Sequence, residues 1–164
     1  MASGALRSNQ KSPLTFREGD LDSADVQALL DFHFAEMRKT SPPEACHVLP
    51  IDGLRDASVT FWSAREAGEL VGIGGLKELA PDHGEIKSMR TAPAALGRGV
   101  GRKVLHHIVT EARSRGYRRV SLETGSTEPF AAALRLYESE GFVTCGPFGD
   151  YVDTPFTRFF TREL

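Results

Sequence analysis

Cysteine, tryptophan and long apolar runs are all scarce in this chain of 164 residues, and neither charge sign prevails. Its two cysteines, Cys46 and Cys145, lie far apart and form no Cys-x-x-Cys pair. That excludes a disulfide scaffold and a zinc-finger spacing, and no metal is expected. No stretch approaches the ~18 consecutive apolar residues of a membrane-spanning helix, which excludes an integral membrane protein. The 20 basic and 22 acidic residues leave a formal net charge of -2, so neither nucleic acid nor a membrane surface is an expected partner. Residues Met1 to Pro13 are small and polar, without the apolar centre of a signal peptide. They read as a flexible tail, and a cytoplasmic location is expected.

What is present suits one core, since 40% of the residues are hydrophobic and no repeat or linker divides residues 14–164. Leu14-Thr-Phe-Arg17 reads as a strand. Behind a cap at Asp22 or Ser23, Val26, Leu29, Leu30, His33, Phe34 and Met37 recur at helical spacing, and the helix should end before Ser41-Pro42-Pro43. Pro50 to Leu54 holds a short helix or a turn. Ser58–Ala64, Leu70–Leu76 and Glu85–Thr91 alternate with the turns Ala67-Gly68-Glu69 and Asp82-His83-Gly84, the pattern of an antiparallel meander. Glycines thin one face of the middle strand. A strongly periodic helix follows, carrying Val100, Val104, Leu105, Ile108, Val109 and Ala112, with Gly116 as its left-handed end. Then come a strand at Arg119–Leu122, a helix from Pro129 to Gly141 with Leu134, Leu136 and Tyr137 inward, and a last strand at Arg158–Thr161. The fold class is α/β: one domain with a mixed central sheet, an antiparallel N-terminal meander, a later βαβ-like unit and helices on both faces.

Chemistry concentrates in Leu96-Gly97-Arg98-Gly99-Val100-Gly101-Arg102-Lys103, between a strand and the periodic helix. Glycine lets a ligand approach the backbone closely, and the first N–H groups of a helix attract anions. A solvated, glycine-rich helix start explains the same composition. The nucleotide P-loop pattern fails because Arg102 and Val104 stand where Lys and Ser or Thr belong. The dinucleotide fingerprint fails because its third glycine arrives one residue early, at Gly101. The stretch does resemble motif A of the GNAT superfamily of N-acetyltransferases, [QR]-G-x-G-x-[GA] opening a helix after an apolar strand. Leu136-Tyr-Glu-Ser-Glu-Gly-Phe142 is similar to that family's L-Y-x-x-x-G-F signature, in the same order. Leu96 departs from the usual Gln or Arg, and Pro129-Phe130 stands where the family often has Asn.

The resemblance implies an N-acetyltransferase with acetyl-CoA as co-substrate and a small-molecule or amino-acid-like amine as acceptor. Acetylation of a protein lysine or N-terminus, or a non-catalytic acyl-CoA-binding module, is the alternative. The implied cofactor contacts are the backbone of Met89, Arg90 and Thr91 and the loop residues Leu96, Gly97, Arg98, Gly99, Val100, Gly101 and Arg102. Direct transfer needs a base for the ammonium, a donor for the developing oxyanion and a proton for the leaving thiolate. Glu85 matches a family glutamate that acts as base in several members, though a solvated edge charge fits it equally; Glu123 and His47 stand in reserve. Tyr137 matches the tyrosine beside the thioester sulfur. The acceptor is expected between Phe34–His47 and Pro147–Phe159, with Glu44, His47 and Tyr151 as substrate contacts; Glu44, His47 and Arg90 alternatively suit a carboxylate-bearing acceptor such as an amino acid. A homodimer through the edges of the last strands follows by analogy with the family.

Overall fold

The computed structural model describes residues 12–164; residues 1–11 of the expected tail lie outside them. The elements are β1 (Leu14–Glu18), α1 (Ala24–Thr40), α2 (Ile51–Leu54), β2 (Val59–Glu66), β3 (Glu69–Ala80), β4 (His83–Thr91), α3 (Val100–Ser114), β5 (Arg119–Gly125), α4 (Ala131–Ser139), β6 (Val143–Cys145) and β7 (Thr157–Glu163). Seven strands form one sheet in the order β1-β2-β3-β4-β5-β7-β6. The meander is antiparallel and β4-α3-β5 is the parallel crossover, so the expected mixed α/β architecture is the observed one. No helix among the described residues is long and apolar enough to cross a membrane.

Local chemistry explains the elements. The β2–β3 hairpin turns through Ala67 and Gly68, whose positive φ of 49° and 84° matches the twist of the flanking strands. The strand β3 runs longer than its apolar centre because Lys77 to Ala80 continue the ladder with β4. His83 begins β4 rather than sitting in the preceding turn. In α4, only Tyr137 is fully buried. Leu136 stays half-buried because it borders a cleft.

The two faces of the sheet carry different helices. On one face, α3 buries Val100, Val104, Leu105, Ile108, Val109 and Ala112. A Cβ on Gly72 would stand 3.0 Å from Val100, and one on Gly74 would stand 2.8 Å from Ile108. The thinned face of β3 therefore admits α3 close to the sheet and aims its N-terminus at the end of β4. The opposite face holds α1, whose Val26, Leu29 and Leu30 pack with Phe61 and Ile73. At its outer end the buried Arg65 donates to Asp20 and Asp25, fastening α1 to β2.

Candidate active site

The strands β4 and β5 pair only at their beginnings, through His83–Arg119, Gly84–Val120 and Glu85–Ser121. Both then continue without a shared ladder, and a cleft of about 650 Å³ lies along their divergent ends. The cause is visible in β4. Ser88 sits in the left-handed region at φ 55°, and the register with β3 slips between Ile73 and Gly75. A bulge adds one residue and bends its strand away from its neighbour. It also reverses the alternation of side chains, so Arg90 comes to the α1 face with Glu85 and Lys87.

At one mouth of the cleft stands the glycine loop. Gly97 and Gly99 have φ of 75° and 77°, which a side chain adopts only with strain, and a Cβ on either would point into open space. The first helical bond of α3 runs from the Lys103 N–H to the Gly99 carbonyl. Among the described residues, the six successive amides from Gly97 to Arg102 donate to no protein acceptor. The basic side chains are engaged elsewhere. Arg102 donates to Glu140 and to Ser139 Oγ, and Arg98 lies 3.6 Å from Glu66. The anion-binding capacity here belongs to the backbone. Val100 is buried in the core, and Leu96 is exposed beside the cleft.

At the inner end, ionisable side chains from three regions meet. Glu85 is 3% exposed. Its Oε1 accepts from Tyr151 Oη at 2.5 Å and from Lys87 Nζ at 3.2 Å. Lys87 also donates to Tyr151 Oη at 2.7 Å and to the His47 carbonyl at 3.3 Å. Glu123, from β5, bonds His47 Nδ1, and both residues line the cleft. Burial pushes the Glu123 carboxyl above its usual range against the pull of His47. Burial, and then the Glu85 charge, keep the Tyr151 phenol protonated far beyond its ordinary range. Tyr151 is wedged among His47, Phe148 and Phe159, with ring centroids 5.0, 5.3 and 5.8 Å away.

Between the two ends, Tyr137 lines the cleft, its phenol raised to about 12 by burial. Its hydroxyl has no hydrogen-bond partner among the described residues. Phe130 closes the wall opposite β4; a Cβ on Gly125 would stand 2.1 Å from its ring, so the ring lies directly on the β5 backbone. Glu44 is not among the residues around the cleft.

The family model for the acetyltransferase (GNAT) family matches residues 25–142. The uncharacterized N-acetyltransferase YsnE of Bacillus subtilis is 50% identical over 145 residues, covering 88% of this chain and 96% of that protein. The uncharacterized N-acetyltransferase YedL of Escherichia coli is 47% identical over 150 residues, covering 92% and 94%. The chain belongs to the GNAT family. A GNAT family acetyltransferase from Elizabethkingia anophelis, solved with acetyl-CoA bound, shares the fold at a TM-score of 0.70 and 18% identity, covering 94% of this chain and all of that one. The protein is thus an N-acetyltransferase that uses acetyl-CoA.

The residues present fit that co-substrate. A run of open amides at a helix N-terminus suits a diphosphate, and a strand edge without a ladder suits the amides of the coenzyme's arm. Of the positions expected from sequence, the cleft gathers Glu85, Met89, Arg90, Thr91, Leu96, Gly97, Gly99, Gly101, Arg102, His47 and Tyr137, with Tyr151 on Glu85. Sequence reading missed Lys87 and the joining of His47 to Glu123. Lys87 had a signal, because it lies two residues from Glu85 and so on the same face. The contact between His47 and Glu123 had none.

Proposed function

We propose that this acetyltransferase modifies a small amine enclosed at the inner end of the cleft, and not an amine displayed on a protein. The roof over the site carries this reading: Tyr151 sits on the carboxylate of Glu85, itself only 3% exposed, in an aromatic wedge with Phe148 and Phe159. A polypeptide acceptor needs an open groove there.

When bound, acetyl-CoA supplies the thioester whose acetyl group passes to the amine. The Gly97–Arg102 amides would hold the diphosphate, and the backbone of Met89, Arg90 and Thr91 would hold the arm. An aliphatic amine arrives protonated at neutral pH. His47 takes that proton: with Nδ1 fixed on Glu123, a neutral imidazole presents Nε2 as acceptor, the orientation that carboxylate-backed histidines use elsewhere. Glu85 is already occupied by Tyr151 and Lys87, and it keeps that frame rigid. Tyr137, which keeps its proton, would donate a hydrogen bond to the thioester sulfur and so stabilise it as a leaving thiolate. Residues 14–164 act together as one catalytic domain.

Release of thiol from acetyl-CoA, measured against amines, amino acids and a peptide with free N-terminal and lysine amines, tests this reading. Turnover with small acceptors and none with the peptide is expected. A peptide that outperforms every small amine would overturn the enclosed-acceptor reading.

A further inference from the structure

We infer that the acceptor carries a carboxylate and that the guanidinium of Arg90 binds it, which makes the substrate an amino acid or related amino acid-like zwitterion; the inference rests on the small-amine reading above. The bulge at Ser88 is the first reason. Without it, Arg90 would face α3; with it, Arg90 lies on the acceptor face with Glu85 and Lys87 and lines the cleft. The diphosphate cradle lies at the N-terminus of α3, across the sheet.

The second reason is charge. Arg90 is half-buried, yet among the described residues no carboxylate lies within ion-pairing distance of it. Two deeper cations are matched: Lys87 by Glu85, and Arg65 by Asp20 and Asp25. Glu36, the acid that acts on Arg90 from α1, pairs instead with Lys39 at 3.5 Å. An arginine keeps its charge at any working pH, so a half-buried one without a counter-ion is poised for an anionic ligand.

Its geometry supplies the third reason. Arg90 Nε donates to His33 Nδ1 at 3.0 Å, and the guanidinium lies 5.8 Å from the centre of the Phe32 ring. Burial, and then Arg90 itself, hold the His33 imidazole down at about 3, so His33 is neutral and accepts without neutralising. With Nε held, the two terminal nitrogens have no protein acceptor among the described residues. That is the planar fork that a carboxylate fits. His33 is a positioning residue here.

The test compares each of L-phenylalanine, L-methionine, β-alanine and 4-aminobutyrate with its own carboxamide, in the wild type and in Arg90→Gln. Expected is a preference of about 10- to 100-fold in kcat/KM for at least one acid over its amide, lost in the variant. Amides that match their acids in the wild type would overturn the inference while leaving the small-amine reading intact. Should no member of the panel turn over, calorimetry with 3-phenylpropionate in the presence of CoA decides the subsite separately. Binding that Arg90→Gln abolishes supports it, and equal binding or none overturns it. Thermal melting guards against misfolding: Arg90→Gln gives up the Phe32 contact and at most one hydrogen bond to His33, so melting should fall by no more than a few degrees, and a large drop would mark Arg90 as structural and overturn the inference.

Discussion

Replacing His47 by Gln separates two candidate bases with one pH profile. Glutamine keeps a donor for the buried Glu123 carboxylate but removes the nitrogen that accepts a proton. A primary amine with the ordinary lysine-like pKa of ~10.4 is free in about one molecule in 2,500 at pH 7. An enzyme without a base waits for that fraction, and its log kcat/KM climbs about one unit per pH unit until roughly pH 10. A positioned base typically contributes about 10²- to 10⁴-fold. His47→Gln should therefore lose about that factor at pH 7, with the deficit shrinking roughly tenfold per pH unit to about tenfold or less by pH 10. Glu85→Gln serves as the comparison, since it loosens the hold on Tyr151 and Lys87 but removes no proton acceptor from the cycle. Its deficit should be constant with pH. Thiol release between pH 6 and 10, with acetyl-CoA saturating, measures both profiles. If His47→Gln keeps the wild-type profile while the Glu85→Gln deficit vanishes at high pH, the base is Glu85 and the reasoning from the His47–Glu123 pair is wrong.

Three further outcomes follow from single sites. Tyr137→Phe should lower turnover about 10²-fold at every pH from 6 to 10, because a phenol held at about 12 stays protonated throughout, and leave the KM for acetyl-CoA unchanged; equal losses in both would refute the donor role. Gly99→Glu should abolish CoA binding in calorimetry yet shift melting by only a few degrees, since left-handed strain of ~1–2 kcal/mol is partly offset by a carboxylate worth ~0.3–1 kcal/mol at a helix N-terminus; retained binding would place the cradle elsewhere. His33 governs acid stability. Its folded value of about 3 lies below the unfolded value of ~6.5, so the unfolded chain takes up the proton first and stability falls as pH drops from ~6.5 towards ~3, by at most about 4–5 kcal/mol. His33→Gln should flatten that slope in urea titrations, and an unchanged slope would remove His33 as the acid-sensitive group.

The fold was legible because its signals are local. The periodicity of α3, the hairpin at Ala67-Gly68 and the glycines of β3 each act within a few residues, and each appears where it was expected. The shape of the glycine loop was legible for the same reason, since Gly97 and Gly99 are needed for their own φ angles. The acceptor end was not. His47 meets Glu123 across a separation of 76 residues, and Tyr151 reaches Glu85 across 66. No composition or spacing near either residue encodes those contacts: the first depends on how the segment between α1 and α2 lies against β5, the second on how loop 147–156 lies over β4. Arg90 was legible as a candidate for an acceptor's carboxylate, but not its face of the sheet. Strict alternation from Glu85 puts it on the wrong face, and only the bulge corrects the phase.

That bulge makes Ser88 the residue on which the site's geometry turns, and its costs can be measured. A serine at φ 55° bears strain of ~1–2 kcal/mol, and its buried Oγ, without a partner among the described residues, costs about 1 kcal/mol more. Ser88→Gly relieves both, while the extra freedom of glycine in the unfolded chain returns ~0.5–1 kcal/mol. The variant should therefore be more stable by about 1–2.5 kcal/mol in urea titrations. Its turnover decides why the serine is there. A hydroxyl that serves the reaction gives a more stable but slower enzyme, the trade expected where strain is held for function. A hydroxyl that only occupies space gives a more stable enzyme of unchanged rate. A less stable variant would show that Ser88 does not bear the strain, and the account of how β4 leaves β5 would have to be rebuilt from another residue.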